Sequence, residues 1–90
     1  MSPEKRSPRA VHSVQYQQML ARLRQARSDA GLTQVQVAKA LGKTQAFVSK
    51  CELGERRIDP IDLANFARLY KRQMAYFVGD SKGLSQLARR

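Results

Sequence analysis

Apolar residues recur every three to four positions from Ser13 to Ala30: Tyr16, Met19, Leu20, Leu23, Ala26 and Ala30 share one face, with Arg22, Arg24 and Arg27 on or beside the polar side. This spacing predicts a first and longest helix that Gly31 ends as a C-cap residue. Thr33 then reads as an N-cap, and Gln36 three residues later completes a capping box, so a second helix starts at Gln34. Leu32 and Val37 form the pair expected of a hydrophobic staple, and Val37, Ala38 and Leu41 give this helix one apolar face. Gly42 should stop it, and Thr44 caps a third helix from Gln45. So short a Gly-containing connection suits two helices crossing steeply, with the small Ala38 letting them approach. In the third helix Val48 and Cys51 make the inward stripe, while Gln45, Ala46, Ser49 and Lys50 project outward.

Beyond this pair the chain turns polar at GERRIDP, where Arg56 and Arg57 stand just after the outward-facing helix, in place for a flanking phosphate. Asp59 caps a fourth helix with Pro60 at its first position, and Leu63, Phe66, Ala67 and Tyr70 form its buried face. A break at Lys71 to Gln73 precedes MAYFV, a short fifth helix. Met74, Phe77 and Val78 exceed what so short a helix needs for its own core, so this run is expected to face a second subunit. The β-branched residues are scattered, and no strand or repeat is predicted. The pattern therefore describes an all-α domain of four or five helices around a central helix-turn-helix, spanning residues 13–80. Residues 1–12, with Pro3 and Pro8 among basic side chains, read as a disordered basic arm. Both a solvated tail and an arm reaching DNA phosphates or the minor groove fit that composition. Residues 81–90 read as a tail, or as an extension in which Leu84 and Leu87 continue a dimer-forming helix.

Composition narrows the chemistry. Ninety residues suffice for one core. Seventeen Lys and Arg stand against seven Asp and Glu, a net charge of +10 with pI near 10.7, which favours a polyanionic partner, most commonly nucleic acid. No apolar run is long enough to span a bilayer and no signal-peptide pattern is present, so a cytoplasmic protein is expected, nucleoid-associated when bound to DNA. The lone Cys51 fits that compartment and reads as a buried inert thiol. One Cys and one His make no zinc set, and no metal or other cofactor is expected. Catalysis is not favoured either. There is no Gly-rich phosphate loop or nucleophile–base set, and His12 lies at the edge of the basic arm without a partner.

The segment GLTQVQVAKALGKTQAFVSKCELGERRIDPIDLANFARLY resembles the DNA-binding domain of the Xre-type family, which includes the lambdoid phage repressors and Cro proteins. The likeness rests on Leu32-Thr33-Gln34, Ala38, Leu41-Gly42, Gln45, and Val48-Ser49-Lys50 followed by Glu52 and Gly54, and it runs from about Leu23 to Val78. It implies a five-helix fold in which Gln34, at a helix N-terminus, meets a phosphate. It also implies that Gln45, Ala46, Ser49 and Lys50 face bases in the major groove. Their chemistry agrees: Gln pairs with adenine N6/N7, Lys suits guanine O6/N7, and Ala46 or the Phe47 ring suits a thymine methyl. Lys43, Thr44, Phe47, Arg56 and Arg57 are the candidates for DNA backbone or methyl contacts. Arg27 and Glu52 match a salt-bridged pair locking the first helix onto the recognition helix. Two positions depart from the family: Cys51 is smaller than the usual residue, and Phe47 stands where Thr or Ser is common, which places it outside the core by expectation. The expected function is a sequence-specific regulator of transcription, read as a repressor, that binds a pseudo-palindromic site on double-stranded DNA as a homodimer with the helix 45–53 in the major groove. The alternative is an antitoxin-like interaction module with a protein partner such as a toxin or anti-repressor, for which DNA binding is secondary.

Overall fold

The computed structural model describes residues 13–79 as five helices: α1 (Val14–Asp29), α2 (Gln34–Leu41), α3 (Gln45–Leu53), α4 (Pro60–Tyr70) and α5 (Met74–Val78). The basic arm, His12 and the tail with Leu84 and Leu87 lie outside the described residues. Each of the first four helices starts where a side chain can replace a missing backbone partner. Ser13 accepts from the Tyr16 N–H, Thr33 from Gln36, Thr44 from Phe47 and Asp59 from Asp62. The capping box at α2 is complete, since the Thr33 N–H in turn donates to Gln36 Oε1 at 2.8 Å.

The helix ends are less uniform. Gly42 and Gly54 take left-handed conformations at φ 69° and 82° after α2 and α3. Behind Gly42 the Lys43 N–H returns to the Ala38 carbonyl at 2.8 Å, which turns the chain sharply into α3. Lys71 ends α4 in the same left-handed region at φ 59° without being glycine. Ala30, expected on the buried face of α1, is exposed because it is already the C-cap and sits past the last helical turn.

α1 runs through the middle of the packing, in contact with α3, α4 and α5, while α2 rests on α3 and α4. Leu20, Leu23, Val37, Val48, Cys51, Phe66 and Phe77 are almost wholly excluded from solvent, with Met19, Ala26, Ala38, Ile58, Leu63, Ala67 and Tyr70 completing the core. Burying each large apolar side chain is worth about 1.5–3 kcal/mol, so the larger members of this set carry the fold. The loop after α3 is tied down as well. Ile58 is buried there, and its N–H donates to the Tyr16 hydroxyl at 3.0 Å.

Phe77 requires a correction. Expected at a subunit interface with Met74 and Val78, it has no exposed surface and packs inside the monomer, edge-on to Tyr76 at 5.0 Å. A helix of five residues reaches the core through little more than one side chain, and the Phe77 ring occupies that place. Met74 and Val78 remain at the surface, 39% and 60% exposed.

Candidate nucleic-acid interface

The placement of α3 decides which of its side chains reach solvent. Val48 and Cys51 anchor it, and Gln45, Ala46 and Lys50 are left exposed. Ser49, expected fully outward, is half-buried, at the margin of the exposed face.

Behind that face runs a polar relay that begins in the core. Glu52 is only 2% exposed, the one charged residue so buried among those described. Its Oε2 accepts from Arg27 Nε at 2.6 Å, and its Oε1 accepts from Arg27 Nη2 at 3.1 Å and from Gln34 Nε2 at 2.9 Å. Gln34 Oε1 then accepts from Gln45 Nε2 at 2.7 Å. A buried carboxylate needs such partners, because an unpaired charge out of water is strongly unfavourable. The hydrogen bond that Arg27 donates to Glu52 pushes its guanidinium further toward the charged form, against the opposing effect of burial. Arg27 also donates to the Leu32 carbonyl at 3.0 Å, so one guanidinium joins α1, the turn before α2, and α3.

This relay gives Gln34 and Gln45 linked roles that residue spacing alone did not reveal. Gln34 was expected to meet a phosphate, yet its side-chain oxygen and one amide hydrogen are already engaged within the protein. What it leaves toward an anion is its second amide hydrogen and the start of α2, where free N–H groups favour negative charge. Gln45 gives one amide hydrogen to Gln34 and keeps the other, together with Oε1. That is the donor and acceptor pair that adenine N6/N7 requires. Arg24 was also missed: its Nη1 donates to the Glu52 carbonyl at 2.8 Å. The signal was available, since Arg24 precedes Arg27 by three positions on the same helix face.

The residues proposed for backbone contact separate into two places. Phe47 stays outside the buried core but is half-buried against it, and its ring stacks on Phe66 with centroids 6.4 Å apart. Lys43 Nζ and Arg56 Cζ lie 5.1 and 4.8 Å from the Phe47 centroid. Thr44 is exposed while its hydroxyl caps α3. Arg57 goes elsewhere, to the rim of an open groove of about 600 Å³ lined by Ile58, Pro60, Leu63, Met74 and Val78. The adjacent arginines therefore diverge, one beside α3 and one beside the apolar surface.

Cys51 belongs to the core beneath this surface. Burial, with a smaller contribution from Asp62, pushes its thiol up to about 11 from an ordinary value of 9.0. Between these values the unfolded chain releases a proton that the folded chain retains, so this group's contribution to stability is present below pH 9 and lost as pH rises toward 11. Cys51→Ala is expected to flatten that decline in urea unfolding measured across the window. The native thiol should also resist alkylation at pH 8 and react once the chain unfolds. Rapid alkylation of the folded protein would contradict its burial.

Among the described residues no group of His, Cys, Asp and Glu is arranged to hold a metal ion, and no helix is long and apolar enough to cross a membrane. A family model described as a helix-turn-helix domain matches residues 18–75, from within α1 to the start of α5 and well over half of the chain. No curated protein matches the chain.

Proposed function

The chain belongs to the helix-turn-helix domain family, a DNA-binding fold, and from that premise we propose that it is a sequence-specific regulator of transcription of the Xre type, acting as a repressor. The observation that carries this reading is the Gln34–Gln45 hydrogen bond at 2.7 Å, anchored through Glu52 and Arg27. A base-reading amide is held in one orientation on an exposed helix before any ligand arrives, which lowers the ordering cost of binding. In this reading α3 enters the major groove. Gln45, Ala46, Ser49 and Lys50 meet base edges, and Thr44, Lys43, Arg56 and the N-terminus of α2 lie along the phosphates. The excess of basic residues supplies sequence-independent attraction.

Two copies would read two half-sites separated by about one helical turn, roughly 10 bp. The exposed Met74 and Val78, which line the groove together with Ile58 and Leu63, support this homodimer as the occupant of that surface. The same apolar surface also favours a second reading, an antitoxin-like module that binds a protein such as a toxin or anti-repressor. Capture of a stoichiometric protein partner together with weak, sequence-indifferent DNA binding would favour it.

Selection of binding sites from a random duplex library tests the first reading, and an enriched inverted repeat is the expected result. No enriched sequence would count against it. On the selected site Gln45→Ala is expected to cost about 1–3 kcal/mol and relax preference at one base pair. Arg56→Ala should weaken all sequences alike and flatten the salt dependence. Unchanged affinity and base preference for Gln45→Ala would remove α3 from the reading role.

A further inference from the structure

We propose that Phe47 is a positioning residue whose ring seats Lys43 and Arg56 as a two-cation clamp for a single DNA backbone phosphate. The proposal rests on the DNA-binding reading above and adds a role for a residue that does not itself touch the DNA. Lys43 comes from the α2–α3 turn and Arg56 from the loop after α3, and each backbone is fixed close to its side chain. The Lys43 N–H donates to the Ala38 carbonyl at 2.8 Å and the Arg56 N–H to the Lys50 carbonyl at 3.1 Å. Both charged groups converge on one ring, at 5.1 and 4.8 Å from its centroid, within the range where the negative aromatic face attracts a cation. The seat is rigid because Phe47 stacks on Phe66, which has no exposed surface.

Like charges that each lie about 5 Å from the same ring centre repel each other, and among the described residues no carboxylate pairs with either. The ring offsets that repulsion in part, and an anion between the charges would offset the rest. Phe47 follows Gln45 and Ala46 within the first turn of α3, so an anion held here lies at the edge of the groove that α3 enters. For a duplex, that anion is a phosphate of the strand bordering the recognition helix. An apolar ring offers a phosphate nothing directly, and the Phe47 ring is half-buried against the core. Its effect on DNA therefore passes through Lys43 and Arg56.

The test measures binding of a short mixed-sequence duplex to the full chain over a series of salt concentrations. Phe47→Leu should bind about three- to ten-fold more weakly at low salt, and its salt slope should fall by about 0.9, the value of one neutralised phosphate. Phe47→Trp keeps an aromatic face and should retain both. In a Lys43→Gln/Arg56→Gln background, Phe47→Leu should change affinity by less than about two-fold, because the clamp it supports is already gone. An undiminished loss in that background would show that the ring contacts DNA itself and would overturn the proposal, as would an unchanged slope for Phe47→Leu alone. The wild-type chain supplies a readout that needs neither DNA nor a folded leucine variant: ring-current displacement of the Lys43 and Arg56 side-chain protons, whose absence also overturns the seat. Should the wild type bind no duplex, the DNA reading fails by itself. Inorganic phosphate then decides the clamp, since it should shift the Lys43 and Arg56 head-group signals in the wild type but not in Phe47→Leu, and no shift overturns it.

Discussion

Glu52→Ala is expected to lower the stability of the folded domain by about 3–5 kcal/mol, because it removes one partner of a buried ion pair and leaves the other in place. Three hydrogen bonds to the carboxylate disappear together, two from Arg27 and one from Gln34. The Arg27 side chain is about one-fifth exposed, so water recovers only part of what is lost. Urea unfolding should show a lower midpoint with an unchanged denaturant slope. On the proposed DNA-binding reading the loss extends to function: with Glu52 gone, Gln34 is no longer anchored and Gln45 loses its fixed orientation, so discrimination among bases should fall as well. A double variant, Arg27→Met with Glu52→Leu, separates the two effects. Replacing both charges with apolar groups of similar size should recover much of the stability, while base preference stays relaxed. A loss below about 1 kcal/mol for Glu52→Ala would mean that the relay contributes little to the fold.

Phe77→Ala is expected to destabilise the domain by a similar amount, about 3–5 kcal/mol, through the cavity it leaves between α5 and the rest of the core. For a domain this small that is a large share of the total stability. The loss should be independent of protein concentration, because the ring contacts its own chain and has no exposed surface. A thermal melt at high and low concentration checks this. If Phe77→Ala melted like the wild type and only weakened self-association, the ring would belong to an interface between subunits. The exposed Met74 gives the contrasting case: Met74→Ser should leave the stability of the single subunit within about 0.5 kcal/mol.

The difference between Phe77 and its neighbours shows where reading the sequence runs out. Hydrophobicity marked Met74, Phe77 and Val78 alike, and one face of one helical turn could hold all three. Only the position of α5 against α1 separated the ring that fills the core from the two side chains that stay at the surface. Phe47 is a similar case. The Thr or Ser common at its position in the family suggested exposure, but Phe66 arrives from a helix beyond the loop and covers part of the ring. Arg56 and Arg57 are neighbours in sequence with the same chemistry, and the path of the loop sends one to α3 and the other to the apolar groove.

What the sequence determined by itself was local. The caps at Thr33, Thr44 and Asp59, the glycine stops at Gly42 and Gly54, and the inward stripe of Val48 and Cys51 are interactions within a turn or two of chain. They fix the number of helices, their order and the outward face of α3. The Arg27–Glu52 pair was expected from family likeness and stands at 2.6 Å. The connection onward from Glu52 to Gln34 and Gln45 came only from the tertiary structure, as did the aromatic seat for Lys43 and Arg56. Each of these joins residues on different elements, and hydrogen bonds and cation–ring contacts act over a few ångströms. No periodicity along a single helix records them, because the crossing of the helices is what brings the groups within reach.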